Sequence, residues 1–163
     1  MSFDGIVRVV KEDDLSTPHA DQRYQLGARL FKNGNQYCYV YNDGGANIGT
    51  GKYCVIKGIG SSYTSGYSVT VTNASLAGWM AGVAQTTIST GYYAFIMTKG
   101  VSLIAPDSGE VSANVGVDLA LGTDGGFVAA GATFSTAPRF AHTLNSFVTT
   151  VGTSKAFIFN SIL

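Results

Sequence analysis

Leu26-Gly27-Ala28-Arg29-Leu30-Phe31-Lys32-Asn33-Gly34-Asn35-Gln36-Tyr37-Cys38-Tyr39-Val40-Tyr41 is the stretch that decides the class of the fold. Two runs, Leu26–Lys32 and Gln36–Tyr41, flank Asn33-Gly34-Asn35. Asn-Gly accepts the positive φ that a type I′ turn requires at both central residues, so the stretch predicts a β-hairpin. In the second run Tyr37, Tyr39 and Tyr41 alternate with Cys38 and Val40. A strand has a side-chain period of two, which puts the tyrosines on one face and the apolar pair on the other.

The same grammar continues downstream. Tyr67–Thr72 alternates and is β-branched, as a strand should be. Gly91–Thr98 places Tyr93, Phe95 and Met97 on one face and Tyr92, Ala94 and Ile96 on the other. Both faces are apolar, which predicts a buried central strand. Gly91 and Gly100 fall where tight turns are wanted, so Val101–Ala105 reads as a separate strand. Lys52–Lys57, Gly78–Gln85, Val115–Leu121, Phe127–Ala130, Ala141–Leu144 and Lys155–Ile162 complete the strand-like runs. In the last, Ala156 and Ile158 share one face and Phe157 and Phe159 the other. Asp21–Arg29 is the best helical candidate, one or two turns long and interrupted by Gly27. With 21 glycines, three prolines and short strands at regular spacing, the expectation is an all-β fold, a single β-barrel or β-sandwich.

Charge is placed unevenly. Asp4, Arg8, Lys11, Glu12, Asp13, Asp14, Asp21, Arg23, Arg29 and Lys32 are half of all charged side chains and lie in the first 35 of 163 residues. Residues 1–20, broken by Pro18, therefore read as a charged, extended N-terminal arm, and 21–163 as the all-β body. An arm of that kind is disordered when free, or ordered only against a neighbour.

Composition narrows the function. Charged residues are 12% of the chain, about half the ~25% usual in a globular domain. Such a surface loses its water at little cost, which suits a protein whose exterior is covered by partners. Formal net charge is zero and no run is uniformly basic, so nucleic acid is not an expected partner. No apolar run reaches the ~18 residues of a spanning helix, and the acidic start does not fit a signal peptide. Synthesis in a reducing cytoplasm, without a membrane partner, is the expectation. Cys38 and Cys54 then read as two reduced apolar residues, on neighbouring strands, rather than a disulfide.

No catalytic constellation stands out. His19 lies in the arm and His142 on a short strand, with no Gly-x-Ser-x-Gly elbow. Asp107, Glu110, Asp118 and Asp124 lie in or near turns, where Asp commonly bonds its own backbone. Two Cys and two His far apart do not make a metal site, so neither metal nor cofactor is expected and the chain does not read as an enzyme. The tyrosines and Trp79 admit two readings. One row can pack on a neighbouring sheet or subunit, or it can stack on sugar rings, as in a carbohydrate-binding or adhesin module.

A larger pattern runs through the chain. Ala81-Gly82-Val83-Ala84 is followed by Ile88-Ser89-Thr90-Gly91-Tyr92-Tyr93-Ala94-Phe95-Ile96-Met97 and then by Lys99-Gly100-Val101. After it come Val111 to Leu119 with Gly116, and the turn Thr123-Asp124-Gly125-Gly126. With Leu26-Gly27 and the Asn33-Gly34 hairpin, this order resembles the capsid decoration (cement) proteins of tailed bacteriophages over most of residues 24–163. The resemblance implies a structural virion protein that binds the outside of the assembled capsid and clamps neighbouring major capsid proteins. It also implies a homo-oligomer, with a trimer favoured, made in the host bacterial cytoplasm and carrying no cofactor. The candidate contact residues are Arg8 and Lys11 in the arm, the row Tyr37, Tyr39 and Tyr41, and Trp79.

Overall fold

The computed structural model describes residues 10–56, 67–70, 80–107, 112–113, 116–122, 125–129, 139–145, 147–148 and 154–159. Within them a 3-10 turn, Glu12–Leu15, precedes β1 (Arg29–Lys32), β2 (Asn35–Asn42), β3 (Tyr53–Ile56), β4 (Ser68–Thr70), β5 (Met80–Ala84) and β6 (Tyr93–Ile104). Then follow β7 (Ser112–Ala113), β8 (Asp118–Leu121), β9 (Phe127–Ala129), β10 (Ala141–Thr143), β11 (Phe147–Val148) and β12 (Ser154–Ile158). The all-β expectation holds.

The first hairpin forms as read. Lys32 pairs with Asn35, so the loop is the two residues Asn33 and Gly34, at φ 50° and 78°. Those angles match the type I′ turn whose twist suits paired strands.

Five strands then close on themselves. β2 pairs with β4, β4 with β3, β3 with β5, β5 with β6, and β6 returns to β2. Closure leaves no open edge in the ring and makes a small barrel. Its interior takes Cys38 and Val40, Cys54 and Ile56, Val69, Ala81 and Ala84, and Ala94 and Ile96. Ile48 and Ile88, which bridge each other, belong to the same cluster. Cys38 and Cys54 are both free and buried there, and β4 separates their strands, so they are not on neighbouring strands as expected. Burial pushes the Cys38 thiol up to about 11 and the Cys54 thiol up to about 12, so neither is a thiolate at neutral pH.

A second sheet grows from the barrel wall. Beyond Lys99, β6 leaves β2 and pairs with β12, which pairs with β10, then β8, then β9. Its inner face, with Leu119, Phe127, Ala141, Ala156 and Ile158, packs on Tyr53, Val55, Met80 and Val83 of the barrel's outside. Tyr53 also donates its hydroxyl hydrogen to the Gly122 carbonyl, at 2.5 Å, tying the two layers.

Three sequence expectations change. Gly91–Thr98 and Val101–Ala105 are one continuous strand of twelve residues, because Gly100 adopts φ +116° within it rather than ending it. Asp21–Arg29 is not helical. The Gly27 amide donates to the Tyr39 carbonyl and Ala28 accepts from the Tyr39 amide, so this backbone is already committed to β2. The described half of the expected arm, residues 10–20, lies against the chain's own barrel: Asp14 and His19 are buried, and His19 exchanges two backbone hydrogen bonds with Tyr93 at 2.8 Å. The apolar outer face of β2 and β6 needs a cover, and this segment supplies it.

Candidate interaction surface

The predicted tyrosine row does form one face of β2, but its members have different surroundings. Tyr39 is 0% exposed. Its ring stacks at 14° on Tyr93, meets Phe95 at 4.9 Å and takes Tyr24 edge-on at 5.2 Å between centroids. Its hydroxyl accepts the Arg23 amide hydrogen at 3.3 Å. Tyr39 therefore has no surface to offer a partner. Tyr41 packs on Tyr93 at 4.7 Å and is half-buried. Tyr37 is also half-buried, and no other aromatic ring stacks on it among the described residues. Lys11 is exposed beside the 3-10 turn, whereas Arg8 and Trp79 lie outside the described residues.

The cover over this aromatic wall is fastened by one carboxylate. Asp14 Oδ2 accepts hydrogen bonds from the Tyr24 hydroxyl and from the Lys11 amide at 3.1 Å. His19 Nε2 lies 3.1 Å from Oδ1, and an Arg23 guanidinium nitrogen lies 3.5 Å away. Burial pushes the Asp14 carboxyl up, but the hydrogen bonds from Tyr24, Lys11 and His19, with the charge of His19, hold it below the ordinary carboxylate range. To donate to this carboxylate, His19 carries a hydrogen on Nε2. Its Nδ1 is buried without a partner among the described residues.

A different surface is left open by the second sheet. The residues of β6 and β12 alternate: Ser102, Ile104, Ala156 and Ile158 turn inward, while Val101, Leu103, Lys155 and Phe157 turn outward. Phe157 sits opposite Val101 on one side and His142 on the other. Phe159 continues the row and Leu144 stands at the end of β10, so five large apolar side chains share this outer surface, with Phe157 38% and Phe159 43% exposed. Isolated apolar residues on a surface are ordinary, whereas several on neighbouring strands of one face make that face a candidate for contact, here with Lys155 between Leu103 and Leu144. The sequence showed the alternation of β12 without showing which face is outward. Phenylalanine would be expected inside, and the structure places Ala156 and Ile158 there.

Besides Lys155, that face carries a polar group of three. Asp118 Oδ1 is 2.9 Å from His142 Nδ1, and Oδ2 accepts from Arg139. The hydrogen bonds from His142 and then Arg139 hold Asp118 below the usual carboxylate range. This is a His–Asp pair, and no hydroxyl bonds the other nitrogen of His142 among the described residues. No group of three or more His, Cys, Asp or Glu side chains that could hold a metal occurs among the described residues.

A five-strand barrel with an attached antiparallel sheet has a solved counterpart. The fold resembles the base of a phage head fibre. Against the crystal structure of the head fiber gp8.5 N base in bacteriophage phi29, the TM-score is 0.52 at 15% sequence identity. The match covers 78% of this chain and 98% of the head-fibre base. No family model matches the sequence, and no curated protein matches it. At 15% identity, the likeness to the head-fibre base is one of fold alone.

Proposed function

We propose that this chain is a structural protein of a phage virion, attached to the outside of the assembled head, where it cements neighbouring major capsid proteins. The observation that carries this reading is the outward apolar row Val101, Leu103, Leu144, Phe157 and Phe159 on a sheet whose other face is already packed. Sealing what remains exposed is worth about 1 kcal/mol for each such side chain, enough together to support a specific contact. Lys155 lies within the row and the paired Asp118, Arg139 and His142 beside it, so a partner that seals the row must also answer these polar groups. The architecture shared with a head-fibre base supports a place on the head exterior. Fold alone does not assign function, so the argument rests on the surface. In this reading the chain carries no catalysis and no cofactor, and its copies act together as a homo-oligomer.

Cosedimentation of the purified protein with matched expanded and unexpanded capsids tests the reading. The expected result is saturable binding to the expanded form, with a whole number of copies per lattice unit. The double variant Leu103→Ser and Phe157→Ser should fold normally, since both residues are surface-exposed, and should lose that binding. Sedimentation equilibrium of the same variant without capsids reports whether the row instead joins copies of the chain. No binding of the unaltered protein to either capsid form would overturn the assignment.

A further inference from the structure

A groove lies between the 3-10 turn and the first hairpin, with a volume of about 330 Å3. That is at the small end of the ~300–1,000 Å3 typical of ligand clefts and suits one or two sugar rings. Tyr37 and Leu15 are its apolar lining residues. Ser16, Asn33 and Gln85 supply polar groups around it, and Glu12 and Lys32 form an ion pair at the rim.

Several features of this groove are those of a ligand site rather than of a packing defect. Tyr37 is the one member of its row that no other aromatic ring covers among the described residues. It is held in place, since the Asn35 side-chain amide donates to its hydroxyl at 3.4 Å while Asn35 Oδ1 accepts the Val101 amide at 3.0 Å. The Tyr37 hydroxyl thus accepts internally and keeps its own hydrogen to donate. Gln85 is also fixed. Its amide nitrogen donates to Ser102 Oγ at 2.8 Å and to the Val83 carbonyl at 3.2 Å, which leaves its carbonyl oxygen as the group with capacity to accept.

We propose that this groove is a saccharide-binding subsite for a neutral hexopyranose, such as a residue of a cell-surface glycan. A pyranose has one face of C–H groups that lies flat on an aromatic ring, and a rim of hydroxyls that each donate and accept. The groove offers that combination: one aromatic platform at Tyr37 with a hydroxyl donor, amide groups at Asn33 and Gln85, and an acceptor at Ser16, whose own hydrogen goes to the Asp13 carbonyl at 3.2 Å. The Glu12–Lys32 pair cancels its own charge, which favours a neutral ligand over an anion such as phosphate. A single shallow subsite binds weakly, and many copies on one particle would supply the strength by avidity. No residue of the groove belongs to the apolar row of the second sheet, so this inference stands apart from the capsid-binding reading.

The test is saturation-transfer NMR on the full chain, with methyl glucosides, methyl galactosides and N-acetylglucosamine as probes. At least one should bind in about the millimolar range, with transfer concentrated on the protons of one ring face. Tyr37→Ala should weaken it by about tenfold or more, while Tyr37→Phe, which keeps the platform, should stay within about threefold. Gln85→Ala should weaken it without changing the ring face that contacts the protein. Tyr37→Ala should still cosediment with capsids wherever the unaltered chain does, which separates the two readings. Absence of transfer to every probe overturns the proposal, and so does binding that survives Tyr37→Ala unchanged.

Discussion

Asp14 shows how much one side chain can decide. Sequence patterning placed it in a solvated arm, among Glu12 and Asp13, with nothing to distinguish it from them. In the structure it alone of the three turns inward and receives Tyr24, the Lys11 amide and His19. Asp14→Asn removes the charge that these donors answer and should lower stability by about 2 kcal/mol at neutral pH. The same residue predicts an acid limb. Its carboxyl is held below the unfolded value, so the unfolded chain binds the proton more readily and stability falls as pH falls. The contribution is complete above about pH 4, the ordinary range of an unfolded Asp, and disappears as pH drops through the lower folded value. Urea midpoints measured from pH 6 down to pH 2 should decline in the unaltered protein and much less in Asp14→Asn. Asp118, also held low, leaves a residual slope, so Asp118→Asn should remove less of it than Asp14→Asn. Equal slopes in the Asp14 variant and the unaltered protein would show that this carboxylate does not fasten the segment.

Among the elements, β6 is the one on which the architecture turns. Its first half closes the barrel against β2 and β5, and its second half starts the other sheet against β12. The change of partner falls at Gly100, between Lys99 opposite Gln36 and Val101 opposite Phe157. A Cβ there would stand 2.1 Å from Asn35 Oδ1, the atom that accepts the Val101 amide, and φ +116° strains any other residue. Gly100→Ala should therefore destabilise by about 2–3 kcal/mol. Paired with Asn35→Ala, which removes the atoms at 2.1 and 2.8 Å and leaves only the Asn35 Cα at 3.0 Å, it should cost less than the two single changes added, and a double-mutant cycle by urea unfolding measures the difference. Strict additivity would show that strain at Gly100 acts without Asn35. The glycine was visible in the sequence, but its role was not. A residue free to take positive φ serves a tight turn or a bend within a strand equally well, and the distinction depends on partners 66 residues away, as with Asn35 and Val101. The hairpin at Asn33-Gly34 was legible because both partners are local. The outward placing of Phe157 was not, since alternation gives two faces without naming the inner one, and the shape of the barrel wall decided for Ala156.

At the scale of the whole molecule, the two sheets are not separable domains. Every strand of the barrel ring precedes residue 105, so connectivity alone would allow residues 1–106 to fold without the rest. Packing argues against it. Tyr53, Val55, Met80 and Val83 lie on the outside of the ring and are 0% exposed because the second sheet covers them. Removing that sheet would bare these four side chains together with Ile104, and each loses roughly 1.5–3 kcal/mol of burial, a total comparable with the ~5–15 kcal/mol by which domains of this kind are stable. Tyr53 would also lose the Gly122 carbonyl, and the second half of β6 would become an unpaired edge. The intact chain should consequently unfold in one transition, with far-ultraviolet circular dichroism and tyrosine fluorescence giving coincident midpoints in urea. The fragment 1–106 should fail to give a cooperative transition and should bind a hydrophobic dye or aggregate. A soluble fragment with a sharp unfolding transition would mean that the barrel holds itself together, and that the second sheet is an appendage whose outward apolar row could be lost without cost to the fold.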